Sequence, residues 1–67
     1  MDTIKRVQDL MQVRDMTLCV LAKKCGISYS TIQTTARRGG QLSVETIERI
    51  CLGLGITLKD FFDSSYL

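Results

Sequence analysis

Apolar residues return every three or four positions along nearly the whole chain, the period of an α-helix packed on one side. Ile4, Val7, Leu10 and Met11 share one face of a first segment, with Lys5, Arg6, Asp9 and Gln12 opposite. Asp2 or Thr3 can cap this helix, which runs to about Arg14, and Asp15 and Met16 make a short link. Thr17 can cap a second helix to Cys25, with Leu18, Leu21, Ala22 and Cys25 inward. Gly26 suits the left-handed position that closes a helix, with Ile27 as the apolar residue behind it. Ser28 caps a third helix to about Arg38, which Gly39 and Gly40 stop. Ser43 caps a fourth helix to Leu54, with Ile47, Ile50, Cys51 and Leu54 inward and Glu45 near its positive end. Gly55 closes that helix, Ile56 packs down, and Thr57 starts a last short helix carrying Leu58, Phe61 and Phe62 ahead of a tail at 64–67. The pattern predicts an all-α fold: one domain over 1–67, a compact five-helix bundle whose second and third helices form a tight pair over about 17–38.

The third helix differs from the rest. On a wheel of about 100° per residue, Tyr29, Ser30, Gln33, Thr34 and Arg37 cover one continuous arc, and Ser28, Ile32, Thr35 and Ala36 the opposite one. The inward arc is small and sparse, which lets the helix sit close to its neighbours yet stand proud of the surface. The outward arc is rich in groups that can read base edges. Gln33 can pair bidentately with adenine, Arg37 can reach guanine or a phosphate, and Tyr29, Ser30 and Thr34 offer hydroxyls and apolar surface for a thymine methyl. A major groove about 12 Å wide accepts one such helix. The second helix then lies across the backbone, where its start near Thr17 can donate N–H groups to a phosphate and Lys23 can add charge.

Charge sharpens this picture. The chain carries +2 in total, but residues 17–43 hold four basic side chains (Lys23, Lys24, Arg37, Arg38) and no acidic one. Five basic and seven acidic residues remain elsewhere, so the central pair carries +4 and the rest −2. A polyanion-binding surface needs that asymmetry. A hydrophobic fraction of 45% over 67 residues is enough for one small core and argues against disorder. No proline interrupts a helix.

The three cysteines (Cys19, Cys25, Cys51) show no CxxC spacing and have no histidine to join them, so they are expected to be free thiols packed as small hydrophobes, with no metal site and no cofactor. Asp2, Lys5, Arg6 and Asp9 break any early apolar run, so no signal peptide is expected. Ile50 to Leu58 is far short of the roughly 20 residues that span a bilayer. A soluble, cytoplasmic protein without membrane contact is the expectation. Catalysis is not expected: Ser and Cys lack an obvious base, Glu45 and Glu48 lie among ordinary polar positions, and Gly53 and Gly55 read as a helix end rather than a phosphate loop.

The chain resembles the Cro and lambda-repressor type of helix-turn-helix domain, the XRE family. Thr17, Leu21-Ala22, Gly26-Ile27-Ser28, Ser30-Thr31-Ile32, Ser43, Glu45-Thr46, Leu54-Gly55-Ile56 and Phe61-Phe62 carry the likeness, in register from about Ile4 to Phe62. The resemblance implies a lambda-repressor-like bundle with helices two and three as the helix-turn-helix. It implies double-stranded operator DNA as ligand, a small transcriptional regulator (most often a repressor) and a homodimer on a two-fold-related site. By position, Tyr29, Ser30, Gln33 and Thr34 match base-contacting places, and Thr17, Leu18, Lys23, Thr31 and the 37–41 segment match places that touch phosphates. The candidate base readers are therefore Tyr29, Ser30, Gln33, Thr34 and Arg37. The candidate phosphate contacts are Thr17, Lys23, Ser28, Thr31, Arg38, Gly39, Gly40 and Gln41.

The sequence departs from the family pattern at three places. Leu18 stands where a glutamine or similar polar residue is usual. Met11 and Ala36 stand where many members pair an arginine with a glutamate, and replacing both partners by apolar groups is compatible with an intact fold. Arg38 stands at the usual glycine, with glycines one and two residues later, so a late helix end and a looser loop are expected. Phe61, Phe62, Tyr66 and Leu67, bunched at the C-terminal end, are the candidate dimer contacts. The same packing suits a scaffold that binds a protein (an antitoxin, antirepressor or polymerase-binding factor), and the polar arc beside an acid-free basic set favours DNA.

Overall fold

The structure, a computed structural model, describes residues 2–63. Its five helices are α1 (Thr3–Val13), α2 (Leu18–Cys25), α3 (Tyr29–Arg37), α4 (Val44–Leu54) and α5 (Leu58–Phe61). Side-chain oxygens start four of them. Asp2 accepts from the Lys5 N–H, Thr17 from Val20, Ser43 from Thr46, and Thr57 from Asp60, whose carboxylate accepts in turn from the Thr57 N–H. Ser28 does not act as the cap expected of it. Its hydroxyl lies 2.9 Å from that of Ser30, and it accepts nothing from the first-turn amides of α3.

The ends of α1 to α4 follow one rule. Asp15, Gly26, Gly39 and Gly55 take left-handed backbone angles (φ 52°, 67°, 68° and 70°). The residue after each then donates back to the helix: Met16 to Met11 O at 2.9 Å, and Ile27 to Ala22 O, Gly40 to Thr35 O and Ile56 to Cys51 O at 3.0 Å each. Met16, Ile27 and Ile56 pack against the core from these turns. Asp15 is the unexpected member, because the conformation ordinarily favours glycine and Asp is among the few residues that tolerate it. α3 ends one residue before Arg38, and the amides of both following glycines are bonded to its carbonyls. The connection is a closed turn rather than the looser one expected.

Val7, Leu10, Leu21, Cys25, Ile32, Leu42, Ile47, Ile50, Cys51 and Phe61 form the core. α2 and α4 share the most extensive helix packing. Gly53 permits it, since a Cβ there would lie 2.5 Å from Cys25 Sγ and 2.9 Å from Cys25 Cα. Gly53 lies in the last turn of α4, as expected of a helix end, and the close approach gives it a packing role as well. Phe61 is fully buried (0% exposed), which removes it from the dimer surface: its ring is spent inside the protomer. Phe62 is 39% exposed, and Tyr66 and Leu67 lie outside the described residues.

Two polar ties hold the ends of the bundle. Thr3, buried at the start of α1, donates from its N–H and its Oγ1 to Gln41 Oε1 (2.9 and 2.8 Å), and its Oγ1 accepts the Leu42 N–H at 2.9 Å. Arg6 donates from Nε to Phe61 O at 2.6 Å and from Nη2 to Asp60 O at 2.7 Å, so a cation on α1 meets the negative end of α5.

Candidate nucleic-acid interface

α2 and α3 are joined by Gly26, Ile27 and Ser28, and the turn is held from both sides. Ile27 packs against the core, and Arg49 of α4 donates from Nη1 to Gly26 O at 3.3 Å while its Nη2 pairs with Glu45 at 3.2 Å. The sequence pattern did not single out Arg49; only its i,i+4 spacing from Glu45 was readable. With the turn pinned, α3 buries one side chain, Ile32 (4% exposed). Tyr29, Ser30, Gln33, Thr34 and Arg37 are all exposed, on the arc expected of them. Gln33 Nε2 donates to Tyr29 Oη at 2.7 Å, so two of the candidate readers are bonded to each other. Thr35 turns back to its own helix, donating from Oγ1 to Thr31 O at 2.9 Å.

Ala36 is exposed rather than packed inward. A cleft of about 320 Å³ lies there instead, with Ile4, Met11, Leu18, Ile32 and Ala36 among its walls and Gln8, Gln33 and Arg37 at its polar side. The paired apolar substitution therefore leaves the helices in place without filling the space between them.

The candidate phosphate contacts divide into two groups. Thr17, Lys23, Thr31 and Arg38 are exposed, as is Ser28, and Thr17 stands at the first turn of α2. Lys24 is exposed beside Lys23, and both lie in the last turn of α2. The backbone amides of Gly39 and Gly40 are bonded within the protein, to Ala36 O at 3.2 Å and Thr35 O at 3.0 Å. Gln41 first serves the fold, because its side-chain oxygen accepts from Thr3. The two glycine amides thus close the end of α3, and Gln41 ties the turn to α1.

Cys25 and Cys51 are buried and Cys19 is exposed, so two thiols of the three pack as hydrophobes. Cys25 Sγ donates to Ile50 O at 3.7 Å. Burial pushes both inner thiols up; Lys24 partly opposes this at Cys25, and Asp60 adds to it at Cys51. Among the described residues, no group of three or more His, Cys, Asp or Glu side chains could hold a metal ion, and no helix is long and apolar enough to cross a membrane.

Two short helices joined at a pinned left-handed glycine, the second presenting a polar face with basic side chains beside it, define a helix-turn-helix DNA-binding domain. The chain belongs to the Cro/C1-type helix-turn-helix DNA-binding domain family, whose model matches residues 6–64. No curated protein and no solved structure matches it.

Proposed function

We propose that this chain is a cytoplasmic transcriptional repressor that inserts α3 into the major groove of an operator as a homodimer. The observation that carries the reading is the exposed polar arc of α3, held outward by a single buried isoleucine. Tyr29, Ser30, Gln33, Thr34 and Arg37 read base edges in this account, and Thr17, Lys23, Ser28, Thr31 and Arg38 meet phosphates. Phe62, with Leu52 and Leu58 also exposed on α4 and α5, supports a two-fold interface at the C-terminal end. Recognition helices about 34 Å apart, one turn of DNA, follow from such a dimer.

Selection of bound duplexes from a random pool tests the whole reading, combined with titration of the selected and a random duplex at rising salt. A two-fold-related sequence is expected. Affinity for both duplexes should fall by about 0.9 log units per log unit of salt for each phosphate neutralised. Absent or salt-independent binding refutes the operator reading and supports the protein-partner scaffold. Ultracentrifugation that finds monomer alone, free and on DNA, refutes the dimer.

A further inference from the structure

The bond between Gln33 and Tyr29 bears on which base Gln33 can accept. It joins residues one helical turn apart, at 2.7 Å, on the exposed face of α3. Tyr29 is exposed (39%), and its hydroxyl oxygen accepts from the Gln33 amide.

A primary amide offers one oxygen and two N–H groups, one N–H lying cis to the oxygen and one trans. Adenine's major-groove edge presents an acceptor at N7 beside a donor at N6. The amide meets that edge with its oxygen and the cis N–H, side by side, and the trans N–H is left over. Guanine presents two acceptors, N7 and O6. An amide can satisfy both only by turning its two N–H groups toward the base. A phenol oxygen that holds one N–H leaves the adenine set complete and the guanine set one donor short.

We propose that Tyr29 is the positioning residue that makes Gln33 specific for adenine over guanine, by holding the surplus N–H of the Gln33 amide. At the base pair that Gln33 reads, Tyr29 acts through the Gln33 amide, apart from any contact its own ring makes with a neighbouring base. The proposal rests on the reading that α3 enters the major groove. In the groove, with water displaced, no solvent hydroxyl replaces the phenol, so the constraint is felt where discrimination occurs.

The test uses the full chain and two probes: the duplex selected from a random pool, and the same duplex with the Gln33-dependent A·T pair changed to G·C. That pair is located as the position whose preference disappears in Gln33→Ala. The wild-type chain is expected to favour A·T there by roughly tenfold to a hundredfold, the range of a bidentate pair. Tyr29→Phe keeps the ring, removes the hydroxyl, and should cut the A·T to G·C ratio about fivefold, one hydrogen bond's worth. In the free protein, Tyr29→Phe should shift one of the two Gln33 side-chain amide proton resonances much more than the other. An adenine preference unchanged in Tyr29→Phe overturns the proposal and leaves the groove reading standing. A Gln33-dependent preference for guanine overturns it as well, since the phenol would then be donating to the amide oxygen. Loss in Gln33→Ala that is equal on every sequence overturns both the proposal and the assignment of Gln33 as a base reader. Amide protons that both stay in place in Tyr29→Phe overturn the bond itself.

Discussion

Gly53→Ala adds one methyl group at the place where α2 and α4 come closest. The new Cβ would lie 2.5 Å from Cys25 Sγ, 2.9 Å from Cys25 Cα and 3.1 Å from Cys25 Cβ. A rotated thiol can relieve the first of these, but only movement of one helix relieves the second. Overpacking of this kind costs about 1–3 kcal/mol, and a clash with backbone puts the cost near the upper end. Alanine's better helix propensity returns about 1 kcal/mol. The expected net loss is therefore about 2 kcal/mol. At ~0.05–0.15 kcal/mol per residue a chain of 67 residues has about 3–10 kcal/mol in total, so the loss is a large fraction of it. It corresponds to a fall in Tm of about 8–16 °C, read by far-ultraviolet circular dichroism. Adding Cys25→Ala removes the clash with sulfur but leaves the one with the backbone of residue 25, so the double variant should recover only part of the loss. Because α2 carries Thr17 and Lys23, a displaced α2 should also weaken DNA binding at temperatures where the variant is fully folded. A Gly53→Ala protein that melts at or above the wild-type temperature would show that propensity wins, and that the helices do not need the bare backbone at this crossing.

Thr3→Val keeps the shape of a fully buried side chain but removes the oxygen that accepts the Leu42 N–H. A buried amide left without a partner costs about 1–3 kcal/mol, and an unchanged urea midpoint would refute that role. Arg37→Ala should weaken the selected duplex far more than the random one, as a base reader requires, whereas an equal loss on both with a salt slope flattened by about one would make Arg37 a phosphate contact. Burial raises the thiols of Cys25 and Cys51 in the folded state, so the unfolded chain ionises first as pH rises. Stability should hold below about pH 8.5, the ordinary thiol value, and fall above it up to the raised folded values. The Cys25→Ala/Cys51→Ala protein should lose that slope above about pH 8.5, and an equal slope in both proteins would assign it elsewhere. Under native conditions a thiol reagent should modify Cys19 quickly and the two inner thiols only as the protein opens.

Local chemistry made much of this molecule legible in one dimension. Caps at Asp2, Thr17, Ser43 and Thr57, glycines at 26, 39 and 55, and apolar residues at helical spacing each act within about five residues. The five helices and the outward arc of α3 follow from such signals, because a helix sets the angle of every side chain around its own axis. The helix period does not say how far apart two helices end up. Whether Ala36 fills a gap or borders a cleft depends on the distance from α1 to α3. Whether Phe61 lies inside or on an interface depends on how α5 folds back. The approach of Gly53 to Cys25 and the Thr3–Gln41–Leu42 bonds join residues 28 to 39 positions apart. No spacing rule reaches so far. The sequence by itself determined which segments coil and which face of each is oily. Tertiary packing alone decided which polar groups the protein uses on itself, at the turn after α3 above all, and so which remain for DNA. A buried donor must be satisfied wherever the chain happens to bring an acceptor.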